Sequence, residues 1–193
     1  MTARLSFICH ASTDALRKAA FPVDEPLDAQ GRARATALAG RLPQAERCWT
    51  SPELRTRQTA QALGLNADIQ PLLRDCDYAT WRGHAFEEIR TREPDAAALW
   101  LRDPAAAPHG GESIVALIQR IGVWLDGEQA NRDDAIVVTH SGVIRAAIVH
   151  AIKATPLSFW RIDIAPLSCT RLSGHGGRWN LVSSGYSIGA TSD

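Results

Sequence analysis

Residues 135–145 read AIVVTHSGVIR, an unbroken apolar run that leads directly into His140. A β-branched run without polar alternation is typical of a central strand that is buried on both faces of a parallel sheet. The segment Arg4–Cys9 (RLSFIC) predicts a second short strand, which ends immediately before His10. In open α/β sheets, ligands bind beyond the carboxyl ends of the strands. We therefore expect the two histidines to meet in one crevice.

Strand and helix signals alternate along the rest of the chain. Further strands are expected at Arg47–Thr50, Asp68–Gln70, Ser158–Ile164, Cys169–Gly174 and Trp179–Ser184. Helices are expected from Asp28 to Leu42, from Ser51 as N-cap to Leu63, over 85–92 and 95–101, from Ser113 onwards, and over 143–152. This order predicts an α/β protein, a three-layer α/β/α sandwich around a mainly parallel central sheet.

The length of 193 residues suits a single domain, which we expect to span 1–193. The irregular segment 72–110 has the position of an insertion, and we expect it to form a cap over the substrate site. The tail 188–193 is expected to fray, as chain ends commonly do.

The composition argues against several classes of protein. The 21 basic and 21 acidic residues cancel, so a global electrostatic attachment to nucleic acid or to an anionic membrane is not expected. No segment approaches the roughly 20 apolar residues of a membrane span. The four cysteines are far apart, without the ligand spacing of a structural zinc site. We therefore expect a cytoplasmic protein with reduced thiols.

The residues that follow the strands point to phosphoryl transfer through a histidine. A neutral imidazole is a competent nucleophile and can carry a phosphoryl group. The transferred group spreads negative charge over its oxygens and needs cationic donors, which His140 and Arg55, one helical turn after Ser51, would supply. An acid must protonate the leaving oxygen; Asp75 is the candidate, and Asp77 competes with it. A single histidine after a strand more often has a structural role, but two of them with an arginine favour function.

Six short segments together resemble the histidine phosphatase superfamily, also called phosphoglycerate-mutase-like. They are Cys9–Thr13 (CHAST), Pro26–Gly31 (PLDAQG), Ser51–Ala60 (SPELRTRQTA), Leu73–Gly83 (LRDCDYATWRG), Gly111–Ser113 (GES) and His140–Arg145 (HSGVIR). Each motif alone is weak, and the signal lies in their shared order. The resemblance covers nearly the whole chain to about Arg145.

The resemblance implies a role for each matching residue. The site would consist of His10 as the nucleophile, Asp75 as the acid and base, and Thr13, Arg55, His140 and Ser141 as phosphate ligands. It also implies a phosphoglycerate-mutase-like fold, catalysis without a metal or cofactor, and a small phosphorylated or anionic ligand as the partner. The sequence makes no prediction of the oligomeric state.

The chain departs from the family pattern in the first motif. Cys9 stands where the family has its first phosphate-binding arginine, and a charge-assisted hydrogen bond of that kind is worth roughly 1.5–3 kcal/mol. Our hypothesis is that Arg17 or Arg82 replaces the lost cation. Glu112 and Ser113 of the Gly-Glu-Ser motif are candidates for contacts with the substrate.

Three functions stay open on the sequence. The favoured one is a phosphomonoesterase that hydrolyses a small phosphorylated metabolite through a phosphohistidine on His10; the short chain resembles the phosphatase branch of the family, including the α-ribazole phosphatases. The second is a catalytically weakened member that binds a phosphorylated or anionic ligand, which Cys9 motivates. The third is a phosphoryl transferase of the phosphoglycerate-mutase type, which would need a pocket for a second acidic group.

Overall fold

A six-stranded mixed sheet forms the centre of the molecule. The computed structural model describes residues 3–128 and 133–188. The strands are β1 Ala3–Cys9, β2 Arg47–Thr50, β3 Asp68–Ile69, β4 Asp134–Thr139, β5 Ser168–His175 and β6 Arg178–Ser187. They lie in the order β3-β2-β4-β1-β5-β6; the pairs among β1 to β4 are parallel, and β5 runs antiparallel to both β1 and β6. The predicted α/β sandwich with a mainly parallel sheet is confirmed.

Helices precede and follow the strands along the chain. They are α1 Asp14–Arg17, α2 Ala29–Ala37, α3 Leu54–Ala62, α4 Phe86–Arg92, α5 Pro94–Arg102, α6 Ile114–Glu128 and α7 Ser141–Ala151. Short 3-10 helices span Pro71–Leu73, Ala79–Trp81 and Pro156–Arg161. Within the two described ranges, no helix is both long enough and apolar enough to cross a membrane. Of the tail predicted to fray, residues 189–193 lie outside the described residues.

The strands have apolar side chains on both faces because helices pack on each side of the sheet. Leu5 and Phe7 of β1 join Val137 of β4 in a core cluster with α6 and α7. Ile8 and Val138 point the other way, into a cluster that includes residues of α2 and α3. The central strand β4 is therefore buried on both faces, as its sequence predicts.

The segment 72–110 places an aromatic cluster beside the strand ends. Its helices α4 and α5 match the predicted ones at 85–92 and 95–101. Phe21, from the loop after α1, lies in the middle of the cluster, with its ring centroid 4.8 Å from that of Tyr78 and 5.5 Å from that of Trp100. The cluster forms an apolar wall between α1 and the cap segment.

The strand predicted at Ser158–Ile164 is wrong. These residues belong instead to the 3-10 helix Pro156–Arg161 and the turn after it. Proline at the first position favours a helical start, because its fixed φ fits and its missing N–H is not needed there. The Trp160 ring packs 4.4 Å from that of Trp100 in the cap segment. Packing of Trp160 on Trp100 and of Phe159 in the core cluster with α6 and α7, rather than strand pairing, thus buries these aromatic residues.

The predicted N-cap of α3 is also wrong. The helix begins at Leu54, with Glu53 in the N-cap position and no side-chain capping bond. The Ser51 hydroxyl lies 2.7 Å from Nε2 of His140 instead. The Ser51 side chain therefore makes a tertiary hydrogen bond instead of capping the helix as its local sequence predicts.

The predicted start of α2 is confirmed, but its predicted end at Leu42 is wrong. The Asp28 carboxylate accepts a hydrogen bond from the Gly31 N–H at 2.6 Å, as an N-cap should. The helix ends at Ala37. Gly40 then adopts φ +75°, a left-handed conformation that is incompatible with a continuing helix.

The register of β1 and β4 places the two histidines side by side. Cys9 lies opposite Thr139 in the parallel ladder, and the His10 N–H donates to the Thr139 carbonyl at 2.9 Å. His10 and His140 therefore leave the sheet at the same level from neighbouring strands, as expected from the sequence.

A close backbone contact holds α2 against the loop that follows His10. A Cβ atom on Gly31 would lie 2.8 Å from the Ser12 backbone nitrogen and closer still to the Ser12 carbonyl. The Ser12 hydroxyl also donates to Asp28 at 3.0 Å. Glycine is thus required at position 31 so that the helix can approach this loop.

We predict that Gly31→Ala lowers the free energy of unfolding by about 2 kcal/mol or more, because two backbone segments must separate. The matched control is Gly127→Ala in α6, where an added Cβ meets nothing within 4 Å. That substitution should be neutral or should stabilise by up to about 1 kcal/mol. Urea denaturation of both variants provides the measurement; equal effects of the two would contradict the contact.

Candidate active site

His10 and His140 form the centre of the candidate site. Their ring centroids are 5.3 Å apart, and the rings are inclined by 66°. Nδ1 of His10 lies 2.7 Å from the Ala11 carbonyl oxygen. A carbonyl only accepts, so Nδ1 carries the proton and Nε2 keeps the lone pair.

The His140 ring is held in place through its Nε2 atom. Its Nε2 lies 2.7 Å from the Ser51 hydroxyl and 3.0 Å from a Glu53 carboxylate oxygen. Its Nδ1 is buried and makes no hydrogen bond to any residue in the described ranges; the nearest acid, Asp75, is 3.4 Å away. The ring thus has one anchored nitrogen and one nitrogen free to meet a ligand.

Arg55 and Asp75 form a buried ion pair beside the histidines. Nη2 of Arg55 donates to Oδ2 of Asp75 at 2.7 Å, and Nη1 donates to the Val23 carbonyl at 2.9 Å. Arg55 is only 1% exposed. Oδ1 of Asp75 accepts from the Cys76 N–H at 2.8 Å. The guanidinium is therefore fixed and directed at the acid of the site.

Burial and neighbouring charges shift the pKa values of the reactive groups. Burial, and then the charges of His140 and Arg55, lower the pKa of His10 from 6.5 to about 3. Burial alone would raise the pKa of Asp75, but His140 and Arg55 outweigh it and hold that pKa below its usual value. At neutral pH, His10 is consequently an uncharged imidazole and Asp75 is an ionised carboxylate.

The predicted catalytic and phosphate-binding residues line one small cavity of about 210 Å³. They are His10, Thr13, Arg55, Asp75, His140 and Ser141. The Thr13 hydroxyl caps α1 by accepting from the Leu16 N–H at 3.2 Å, and Ser141 is the first residue of α7. The structure thus brings together residues from the ends of three neighbouring parallel strands and from the loop after β3.

Cys9 is buried directly behind this cavity. It is 3% exposed, and burial, with a smaller contribution from Asp75, raises the pKa of its thiol to about 12. The side chain is therefore a neutral thiol, which replaces neither the charge nor the donors of a guanidinium. Cys9 packs in the core cluster under α6 and α7.

The two arginines suggested as substitutes are engaged elsewhere. Arg17 pairs with Asp14 at 2.6 Å and lies 3.6 Å from Asp28. Arg82 pairs with Asp77 at 2.8 Å and lines a neighbouring cavity of about 580 Å³, which Arg55 and Asp75 also border. Both side chains are more than half exposed.

Glu112 of the Gly-Glu-Ser motif holds the loop that contains Arg74 and Asp77, and Ser113 caps α6. The Glu112 carboxylate binds Arg120 at 2.7 Å and Arg74 at 3.2 Å, and the Glu112 N–H donates to the Asp77 carbonyl. The Ser113 hydroxyl accepts from Ala116 and caps α6, as predicted. Neither residue lines the cavity that contains the histidines.

Two carboxylates of the site were missed by the sequence reasoning. Glu53 contacts Nε2 of His140 with one oxygen, and its other oxygen accepts from the Asp75 N–H at 3.1 Å. Glu25 lines the cavity, 3.9 Å from Arg55. Their positions were the available signals: Glu53 is a variable position inside the Ser51–Ala60 segment, and Glu25 directly precedes the Pro26–Gly31 segment.

The arrangement combines a neutral imidazole, a buried arginine and a carboxylate within one cavity. The N-terminus of the 11-residue helix α7 adds backbone N–H groups and a partial positive charge beside His140. Within residues 3–128 and 133–188, no group of three or more histidine, cysteine or acidic side chains could hold a metal ion. The chemistry suited to these groups is binding and transfer of a phosphoryl group.

Comparisons with known proteins agree with this geometry. The bifunctional protein of Mycobacterium tuberculosis is 30% identical over 127 residues, 62% of this chain and 35% of the relative, so the chain spans about a third of that relative's length. Glucosyl-3-phosphoglycerate phosphatase of M. tuberculosis is 28% identical over 172 residues, 79% of this chain and 76% of the relative.

The solved structures show the same similarity over nearly the whole chain. The mycobacterial glucosyl-3-phosphoglycerate phosphatase in complex with VO3 superimposes with a TM-score of 0.84 at 28% identity, covering 95% of this chain and 99% of that one. A family model described as histidine phosphatase superfamily (branch 1) matches residues 5–186. The chain therefore belongs to branch 1 of the histidine phosphatase superfamily.

Proposed function

We propose that this protein is a phosphomonoesterase that hydrolyses a small phosphorylated metabolite through a phosphohistidine on His10. The observation that carries the proposal is the neutral His10 ring, 5.3 Å from a His140 ring whose Nδ1 has no hydrogen-bond partner among residues 3–128 and 133–188. A nucleophile and an imidazole nitrogen without a hydrogen bond in the described residues share one cavity with Arg55. These are the parts that phosphoryl transfer to an imidazole requires.

In the first step, Nε2 of His10 attacks phosphorus and the bond from phosphorus to the alcohol oxygen breaks. Nδ1 of His10 keeps its proton and donates a hydrogen bond to the Ala11 carbonyl, and this bond orients Nε2 towards the ligand. Arg55, Nδ1 of His140, the Thr13 hydroxyl and the first N–H groups of α7 stabilise the charge on the phosphoryl oxygens. The leaving oxygen takes a proton from Asp75.

Asp75 must first acquire that proton, since Arg55 and His140 keep it ionised in the free site. Phosphate binding supplies the reason. A phosphate dianion binds Arg55 and His140 in place of Asp75 and lies beside the Asp75 carboxylate. Nearby negative charge raises the pKa of a carboxyl group. Asp75 therefore takes up a proton from solvent when the substrate binds, and it becomes the acid of the first step.

In the second step, water attacks the phosphohistidine opposite His10. Asp75, ionised after the first step, accepts the proton of the water, and the phosphorus–nitrogen bond breaks. Inorganic phosphate leaves and His10 returns to its neutral form. The sum is one phosphomonoester and one water converted into one alcohol and one phosphate.

Relatives support the class of reaction. A mycobacterial relative is named as the phosphatase of a small phosphorylated metabolite, glucosyl-3-phosphoglycerate, and another structure of that enzyme holds inorganic phosphate. We also place the protein in the cytoplasm. Its free thiols are in keeping with a reducing compartment; they are Cys9, Cys48, Cys76 and Cys169.

A second candidate function rests on Cys9. Without the first arginine of the family pattern, the site could bind a phosphorylated or anionic ligand and turn it over slowly. Phosphoglycerate-mutase-type transfer is less favoured, because Arg55 is the only Lys or Arg among the described residues that line the cavity. The acidic group of a phosphoglycerate would find no second cation there.

We predict that His10→Ala abolishes phosphate release from p-nitrophenyl phosphate, because the acceptor nitrogen is lost. Asp75→Asn should slow an alkyl phosphate about 10²–10⁴-fold but p-nitrophenyl phosphate much less, since nitrophenolate leaves without a proton. Steady-state kinetics on both substrates provide the measurement. Full activity of His10→Ala, or equal losses for the two substrates in Asp75→Asn, would contradict the mechanism.

Cys9→Arg separates the enzyme from the weakened binder. If the wild-type protein is an enzyme, it hydrolyses p-nitrophenyl phosphate, and the variant changes kcat/KM by no more than about the 10–100-fold that one charge-assisted hydrogen bond is worth. Activity that is present only in Cys9→Arg would instead identify a binding protein. Cys9→Ser is the control, because it removes the thiol without adding charge.

The neutral state of His10 predicts how stability depends on pH. Because the pKa is about 3 in the folded chain and 6.5 in the unfolded chain, the unfolded chain binds more protons between these values, and stability falls as the pH is lowered. From pH 7 to pH 4, the wild type should lose about 1–3 kcal/mol more than His10→Gln. Urea denaturation at both pH values measures it; parallel losses would show that His10 titrates normally.

A further inference from the structure

The cavity beyond the histidines has aromatic walls and one carboxylate. Phe21, Tyr78, Phe86 and Trp100 line it together with Glu25. The walls are continuous, because the Phe21 ring lies 4.8 Å from Tyr78, 6.3 Å from Phe86 and 5.5 Å from Trp100. At about 210 Å³, the cavity is smaller than the roughly 300 Å³ at which sites for drug-sized ligands begin. It therefore suits a small alcohol as the leaving group.

Glu25 has no partner that satisfies it. Both of its carboxylate oxygens are buried, and neither has a hydrogen-bond donor among residues 3–128 and 133–188. The nearest cation is Nη1 of Arg55 at 3.9 Å, and that nitrogen already donates to the Val23 carbonyl. A buried carboxylate without a donor or a close cation is costly, so this position is suited to a positively charged group that comes from the ligand.

The charges around the phosphate site point to the same kind of ligand. Arg55 is surrounded by Glu25 and Asp75, and Glu53 contacts His140. Cys9 contributes no positive charge, since its thiol is buried and neutral. Among the described residues that line the cavity, one arginine, Arg55, faces two carboxylates, Glu25 and Asp75. A substrate that carries its own positive charge removes this shortage.

We infer that the substrate is a phosphomonoester of a small amino alcohol, with a cationic nitrogen placed against Glu25 and the aromatic walls. The inference rests on the proposed phosphatase function and assigns its substrate class. Aromatic faces attract an ammonium group through the negative charge of their π surface, within about 6 Å of the ring centroid. Glu25 adds the opposite charge, and the phosphate binds Arg55 and His140.

The neighbouring cavity does not offer an equivalent site for an acidic leaving group. Its arginines at positions 74 and 82 are each matched by a carboxylate, Arg74 by Glu112 at 3.2 Å and Arg82 by Asp77 at 2.8 Å. Leaving groups with a carboxylate are consequently expected to react more slowly than those with only an ammonium group.

The decisive test compares two phosphomonoesters that differ in one atom. Choline phosphate carries a quaternary nitrogen, and 3,3-dimethylbutyl phosphate has a carbon in its place with the same shape. We expect the wild-type protein to hydrolyse choline phosphate with a kcat/KM about tenfold or more above that of the neutral ester. Glu25→Gln should bring the two values within about threefold of each other. Phosphate release measures both.

Asp14→Asn is the matched control variant. Asp14 is an exposed acid of α1, 69% exposed, between two residues that line the cavity but not itself among them. It should retain the preference for choline phosphate. If the wild type shows no preference, if Glu25→Gln keeps it, or if Asp14→Asn loses it equally, the assignment to Glu25 is overturned.

The outcome separates this inference from the proposed function. Hydrolysis of p-nitrophenyl phosphate that depends on His10, without any preference for choline phosphate, would leave the phosphatase in place and remove the amino-alcohol substrate. Calorimetry with His10→Ala gives the same comparison as a ratio of Kd values when turnover is absent. Equal Kd values for the two esters would overturn the inference; tighter binding of choline phosphate by about tenfold would support it.

Discussion

The parallel pairing of β1 with β4 is the constraint on which the site depends. Cys9 lies opposite Thr139 in the ladder, and the His10 N–H donates to the Thr139 carbonyl. These two contacts fix His10 and His140 at the same level of the sheet. A shift of one residue would turn each apolar side chain of β1 to the other face. Because both faces are buried, core packing opposes that shift, and the same packing holds the histidine rings 5.3 Å apart.

The ion pair between Arg55 and Asp75 is the second constraint on the site. A buried guanidinium needs a nearby anion, and Asp75 supplies it. In the mechanism that we propose, the substrate phosphate takes the place of Asp75 beside Arg55. The exchange of one anion for another leaves Asp75 without its cation beside a dianion, which raises its pKa. In the proposed mechanism, substrate binding and protonation of Asp75 are therefore one electrostatic event. Glu53 holds the His140 ring and the Asp75 backbone in place during this exchange, since it is hydrogen-bonded to both.

The sequence was sufficient to predict the strand ends, because β-branched runs and the residues after them are local features. The same reasoning predicted Asp28 and Ser113 as helix caps. It failed for Ser51, whose hydroxyl bonds a histidine 89 positions away, and for the 3-10 helix at Pro156–Arg161, whose aromatic residues pack on the cap segment. Local sequence preferences contain no information about partners that only the folded chain brings close. Glu25 and Glu53 were missed for this reason.

In the site that we propose, Cys9 stands where the family resemblance implies an arginine, and this has a consequence for selectivity as well as for affinity. Fewer cations weaken the attraction for any phosphate, but the penalty is larger for a ligand with a second negative charge, because Glu25 and Asp75 also repel that charge. Ligands without a second charge lose less, and a ligand with a positive group recovers part of the loss. Specificity is a difference between affinities. A site with excess carboxylates can therefore gain selectivity for zwitterionic phosphates from the same substitution that weakens its hold on phosphate.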